Sequence, residues 1–264
     1  MKKDAKKRSP LKDPAMRNPG QSLAEARQEL FEDYALLPAL MASGFLVVAM
    51  IKWMEELTGR STSPWAWTAV ALAATAWFIY RIFKVRPRLR ALRQGEQGER
   101  AVGQYLEKLR SDGYEVFHDL IGEGFNVDHV IIGPAGVFSI ETKTWSKPIK
   151  GEAKIHFDGQ RLSQSGQAPN RRPIIQAQAQ GSWLQTLLQE STGRELKAHP
   201  VVLFPGWYIE SEKEALNRMW VLEPKGLPKF LAHQPTKLSA EEIKLFSFHL
   251  SRWVRAEESR LQKH

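Results

Sequence analysis

NVDHVIIGPAGVFSIETK, residues 126–143, reads as two strands and the turn between them. Residues 130–132 and 137–140 are short β-branched or aromatic runs, and Gly-Pro-Ala-Gly between them supplies turn chemistry, so a hairpin with a four-residue loop is expected. If Ile132 faces Val137, the same register sets Asp128 directly opposite Glu141. Side chains alternate along a strand, so Lys143 points the same way as Glu141, and directly opposed residues have Cβ atoms roughly 4.5–5.5 Å apart. Two facing carboxylates repel.

Like charges opposite one another at the end of an apolar hairpin destabilise it unless a cation lies between them. Hard oxygen donors favour Mg2+ or Mn2+. A solvated strand end would hold the same residues at little cost, and spacing alone does not separate these readings. Asp followed across a hairpin by Glu-x-Lys resembles the core of the PD-(D/E)xK nuclease superfamily. Thr142 stands at the middle position, and Val127 stands where that superfamily usually has Pro.

The 264 residues hold 38 Lys and Arg against 29 Asp and Glu, a net charge of +9, which fits a polyanionic partner or an anionic membrane surface. There is no cysteine, so disulfides, thiolate metal sites and a cysteine nucleophile are excluded. Residues 1–33 are polar and basic and are expected to form a flexible tail, with a polar helix over 21–34 leading onward.

Residues 34–54 and 64–83 are apolar and each about long enough to cross a ~30 Å hydrocarbon core as a helix, giving a two-helix transmembrane hairpin over 34–85. Trp53, Trp65, Trp67, Trp77 and Tyr80 lie near segment ends, where rings meet the membrane interface, and Lys52 and Arg81 are placed to snorkel. Ala66, Ala69, Ala73 and Ala76 form a small-residue stripe that would admit a close partner helix. The alternative is a buried helical hairpin of a soluble protein. Six basic residues between Lys2 and Lys12 and five between Lys84 and Arg93 flank the pair, whereas residues 55–63 carry Arg60 alone. The positive-inside rule then puts both termini in the cytoplasm, on a multi-pass protein of the cytoplasmic (inner) membrane.

A second domain is expected over 94–235, opening with a helix whose apolar side carries Val102, Leu106 and Leu109. Glu99 shares that side. It is either an ordinary first-turn partner of the helix dipole or a third carboxylate for the hairpin site. Gly95 and Gly98 leave room for close approach. Gly-Glu-Gln-Gly-Glu at 95–99, followed by the hairpin sequence, resembles the nuclease-related domain (NERD) family of that superfamily. The resemblance implies an α/β fold with a mixed β-sheet flanked by helices, restriction-endonuclease-like. It also implies an active-site set of Glu99, Asp128, Glu141, Lys143 and Gln176, with Asp128, Glu141 and Glu99 toward the metal. Gln176 sits in Pro-Ile-Ile-Gln, although the family's usual Asn-Pro is Arg172-Pro173 here.

Residues 151–162 suggest a second hairpin turning at Asp158-Gly159. Lys147, Lys150, Lys154, Arg161, Arg171 and Arg172 make a basic span suited to phosphates, with Trp145 and His156 available for stacking, though such a span is also an ordinary solvated surface. A helix over 173–190 puts Gln176, Gln180, Trp183 and Leu187 on one face. Residues 200–204 and 219–222 read as strands. A closing helix over 236–264, capped by Ser239 and Glu242, turns Ile243, Phe246, Leu250 and Trp253 inward. The expected whole is a membrane-anchored nuclease using Mg2+ or Mn2+ on DNA or RNA. The alternatives are a catalytically silent nucleic-acid-binding or assembly module on the membrane, and a membrane-surface scaffold that needs no site.

Overall fold

The computed structural model describes residues 16–59, 63–122, 124–148, 151–164 and 167–261. They form two compact units, one within 21–96 and one that joins the described residues of 97–261 to residues 16–20.

The first unit is helical. Helix α1 (Gln21–Phe31) passes through one π-helical turn (Glu32–Leu36) into α2 (Leu37–Leu57), and α3 (Trp65–Glu107) begins after the connecting loop. Two helices, Gln21–Leu57 and Trp65–Asp112, are long and apolar enough to cross a membrane; only 22% of the apolar window of the first and 6% of that of the second is buried. A core hairpin of a soluble protein would bury such a surface. Instead Leu40, Met54, Leu57, Leu72, Ile79 and Phe83 are exposed. The aromatic and basic residues do find partners: Trp53 stacks edgewise on Trp65 at 5.2 Å, and Arg81 lies 4.4 Å above the Tyr34 ring and donates to the Asp33 carbonyl. The small-residue stripe is displaced from its expected place. Ala66, Ala69, Ala73 and Ala76 are exposed, while Ala42, Ala49 and Ala71 are buried, because the buried side of α3 runs through Thr68, Ala71 and Thr75 instead.

The second unit is built on a five-stranded sheet ordered β1-β2-β3-β6-β8. Strands β1 (Glu115–Ile121), β2 (Asn126–Gly133) and β3 (Gly136–Thr142) form an antiparallel meander, and β6 (Ala198–Leu203) and β8 (Trp220–Leu222) continue it in parallel. Ile132 pairs with Val137 and His129 with Ile140, the register expected from the sequence. The loop is tighter than expected, since Gly133 pairs with Gly136 and leaves only Pro134 and Ala135 to turn. Gly133 must lack a side chain, because a Cβ there would lie 2.2 Å from the Tyr114 ring.

Helix α4 (Arg172–Thr192) makes the parallel crossover from β3 to β6. With α6 (Ala240–Leu261) it covers one sheet face, where Val130, Ile132 and Val137 meet Leu184, Leu188, Phe246 and Leu250. The last turns of α3 and helix α5 (Leu227–Ala232) cover the other, where Ile131, Phe138 and Ile140 meet Val102, Leu106 and Leu231. Each such fully buried side chain contributes roughly 1.5–3 kcal/mol. This is the mixed sheet flanked by helices that the sequence called for. The second hairpin forms as β4 (Lys154–Phe157) and β5 (Leu162–Gln164), with the Asp158 carboxylate accepting from the Gln160 and Arg161 amides; β7 (Tyr208–Ser211) adds a parallel third strand. The capping box closes as expected, the Ser239 amide donating to Glu242 and the Glu242 amide to Ser239.

The segment read as flexible tail behaves differently in its described part. Arg17 is 7% exposed, and Met16 packs against the α4 and α6 core.

Candidate active site

The carboxyl end of the parallel strands is where open α/β sheets present ligands, and β3 delivers Glu141 there. Glu141 is 2% exposed because it follows Val137 and Ser139 on the face beneath α4. The register that pairs His129 with Ile140 carries one step further to put Asp128 across from Glu141. Asp128 turns its carboxyl inward, where Oδ2 accepts from the Thr142 amide at 2.7 Å. Lys143 lies just past β3, but its amide donates to the Leu203 carbonyl at 2.9 Å, which prolongs the pairing with β6 and fixes its side chain beside the site. Its ammonium donates to Glu141 Oε1 and, at 2.9 Å, to Gln176 Oε1. Gln176 reaches the sheet edge from the second turn of α4, as its place on that helix face predicted.

One residue at the centre of this cluster was not singled out from the sequence. Gln180 is 2% exposed, and its Nε2 donates to Glu141 Oε2 at 2.5 Å and to the Asn126 carbonyl at 2.7 Å. It thus ties α4 to β2 and β3 together and fixes how Glu141 is turned. The readable signal was the spacing: Gln176 and Gln180 stand one helical turn apart on the face that covers the sheet.

Glu99 reaches the neighbourhood from the opposite layer. It is 7% exposed, and its helix can come this close because Gly98 has no side chain; a Cβ there would lie 2.3 Å from Thr144. Burial, then the nearby charges of Asp119 and Glu141, push the Glu99 carboxyl up to about 8. Asp128 is raised well above the usual carboxylate range by burial first, then by Glu141 and Glu99, against the opposing Thr142 amide and Lys143. Three acids therefore stand in low dielectric with one ammonium among them.

That crowding of buried carboxyls fits a divalent cation on donor type, since an ion would favour their ionised forms, with Asp128 and Glu141 on adjacent strands as the pair to hold it. The geometry is less complete. Among the described residues no group of three or more His, Asp or Glu is gathered as a ligand cage, so Glu99 is a neighbour of the pair and not a preassembled third ligand.

The basic span divides. Arg171 and Arg172 are exposed at the start of α4, one and two turns before Gln176 and Gln180, and Lys147 and Arg161 are also exposed. Lys154 is paired with Glu210 at 3.0 Å, and His156 lies between Glu210 and Glu212. The exposed face of the small sheet is thereby neutralised, so Lys154 and His156 are poor candidates for phosphate or base contacts. Trp145 packs on Phe204 at 4.8 Å. Lys150 lies outside the described residues.

The α/β core thus brings an acidic pair, a lysine and a helix-borne glutamine together at one end of its central strands. Residues 94–205 match the family model of the nuclease-related domain (NERD), which supports a nuclease-like module there. An uncharacterized protein of Bacillus anthracis is 35% identical over 66 residues, a stretch covering 23% of this chain and 31% of that relative. The similarity thus spans under a third of the relative's length. No solved structure matches the chain.

Proposed function

We propose that this chain is a membrane-anchored nuclease that hydrolyses phosphodiesters of DNA or RNA with Mg2+ or Mn2+. The observation that carries the reading is the convergence of Asp128, Glu141, Lys143 and Gln176 at one sheet edge, inside a nuclease-related domain. Asp128 and Glu141 would hold the ion, which when bound would polarise a phosphate oxygen and make a water more acidic. Lys143, released from Glu141, donates to the attacking water or to the charge that develops on phosphorus. Gln176 orients Lys143 and the incoming phosphate, and Arg171 and Arg172 extend the interaction along the nucleic-acid backbone.

The two apolar helices support a membrane anchor, and the basic flanks favour cytoplasmic termini by the positive-inside rule. A structural observation supports the same topology. Arg17, before the first helix, is ion-paired to Asp119 of the domain after the second, at 2.9 Å. Segments packed in one unit lie on one side of a bilayer, so the helices between them cross it an even number of times. The test is a cleavage assay on the full chain in detergent, with DNA and RNA panels and with Mg2+, Mn2+ or chelator. Wild type cleaves only with metal, and Asp128→Asn and Lys143→Ala each lose at least about a hundredfold in rate. Absence of any metal-dependent cleavage across both panels overturns the enzymatic reading.

The second reading, a silent nucleic-acid-binding or assembly module, has its own support. Both Glu141 oxygens are already engaged, by Lys143 and Gln180, which is how a salt-bridged relic of such a site would look.

A further inference from the structure

Residues 16–20 precede both apolar helices in the chain, yet they thread across three elements of the catalytic unit. Arg17 donates through Nε to Asp119 of β1 at 2.9 Å and through Nη1 to Glu258 of α6 at 3.0 Å, and its side chain is 4% exposed. Pro19 lies against α3 at Gly103, where a Cβ would come within 2.4 Å of its ring. The Gly20 backbone is hydrogen-bonded to the Glu99 carboxyl. Asp119 is itself unusual: it is 1% exposed and adopts a left-handed conformation, φ 51°, which a non-glycine residue keeps only where its surroundings enforce it. Its charge is felt at Glu99. Gln21, the residue after Gly20, opens the helix that continues into the first apolar segment.

We propose that residues 16–20 form a strap that completes the candidate site, with Arg17 as a positioning residue that neutralises Asp119 while the Gly20 amide holds Glu99. The inference rests on the nuclease reading for the purpose of Glu99. It makes the site depend on chain that lies outside the contiguous domain and adjoins the membrane anchor. A domain fragment that begins near Gln94 therefore lacks one wall of its own site.

The experiment uses the full chain in detergent. Arg17→Gln alone leaves the Asp119 charge buried without its guanidinium and lowers the melting temperature by roughly 10 °C. The pair Arg17→Gln with Asp119→Asn removes one charge of each sign, so net local charge is unchanged and most of that stability returns. A purely structural role predicts that the Mn2+ response returns with it. The strap predicts that the Mn2+ concentration giving half of the melting-temperature rise stays roughly tenfold above wild type, as when an outer partner of a metal ligand is removed. A paired variant with wild-type Mn2+ response overturns the proposal. Amide exchange supplies a readout that needs no metal. Gly20 exchanges on the order of a hundredfold more slowly than an open chain in wild type, and Glu99→Ala abolishes that protection. If wild type shows no Mn2+ response while Gly20 behaves in this way, the metal reading fails and the strap stands. If Gly20 is unprotected in wild type, the strap fails whatever the metal does.

Discussion

Glu99, the acid beside the Asp128–Glu141 pair, makes stability depend on pH in an uncommon direction. The Glu99 carboxyl is pushed from its ordinary 4.5 to about 8, first by burial and then by Asp119 and Glu141. Below pH 4.5 the folded and unfolded chains both hold the proton. Between 4.5 and about 8 only the folded chain holds it, so stability falls as pH rises, and above about 8 this loss is complete. Asp128, also raised by burial and its acidic neighbours, acts in the same direction. Histidines act in the opposite one: burial depresses His199 to about 4 and also lowers His118 and His129, so they cost stability as pH falls below 6.5. The window from pH 6.5 to 8 isolates the acids. One proton held across it by the folded chain alone corresponds to about 2 kcal/mol, or a melting temperature lower by roughly 4–8 °C at the upper end.

Thermal melts of the full chain with chelator at pH 6.5, 7, 7.5 and 8 measure this directly. Glu99→Gln keeps the shape and removes the proton, so its melting temperature varies by less than half as much. Saturating Mn2+ reverses the trend in wild type, because the ion favours the ionised acids. A flat wild-type profile in chelator, or a Glu99→Gln profile with the full wild-type slope, refutes the picture of crowded buried acids.

Other expectations follow from single interactions. Gly98→Ala drives a methyl into Thr144 and destabilises the sheet-bearing unit by about 1–3 kcal/mol, measurable by denaturant or thermal melts. Gln180→Leu frees Glu141 to turn and lowers the cleavage rate by roughly tenfold or more, with KM for nucleic acid little changed. Arg171→Ala with Arg172→Ala flattens the dependence of nucleic-acid affinity on salt by about one unit of log-log slope for each phosphate no longer neutralised, whereas Lys154→Ala, already paired with Glu210, leaves it unchanged. Membranes washed with high salt or carbonate retain the chain, since apolar spans are indifferent to screening.

What could be read from the sequence was what repeats or pairs locally. The hairpin register followed from apolar alternation and one turn, the α6 cap from two residues three apart, and the helix bearing Gln176 from a proline start and a common face. Long-range partners were not legible. Arg17 and Asp119 are 102 positions apart, and nothing in a basic N-terminal segment distinguishes one arginine that will be buried from those that will be solvated. Strand β1 escaped because Asp119 and His118 interrupt its apolar pattern with polar residues whose partners come from Arg17 and Glu107. Lys154 reads from the sequence as a phosphate contact and His156 as a stacking ring. Their neutralising acids, Glu210 and Glu212, arrive from β7 and its end, far along the chain.

The arrangement around Lys143 separates the enzymatic from the silent reading more sharply than loss of activity does. In the metal-free chain its ammonium occupies the place beside Glu141 that a cation would take. If that is a temporary occupancy, the ion must displace it, and Lys143 opposes metal binding while it promotes cleavage. Two unit charges about 4 Å apart interact by roughly 4 kcal/mol at an effective dielectric near 20. Part of that must be given up when Glu141 exchanges one cation for the other. Lys143→Met keeps the stem, removes the competitor and lowers the Mn2+ concentration for half-maximal stabilisation by roughly tenfold or more, while cleavage is abolished. A relic salt bridge predicts otherwise: removing Lys143 leaves Glu141 buried and unpaired, destabilises the unit by about 3–5 kcal/mol, and confers no Mn2+ response beyond that of wild type. Melts of the two proteins across a Mn2+ series therefore decide between a site held shut by its own lysine and one that has been closed for good.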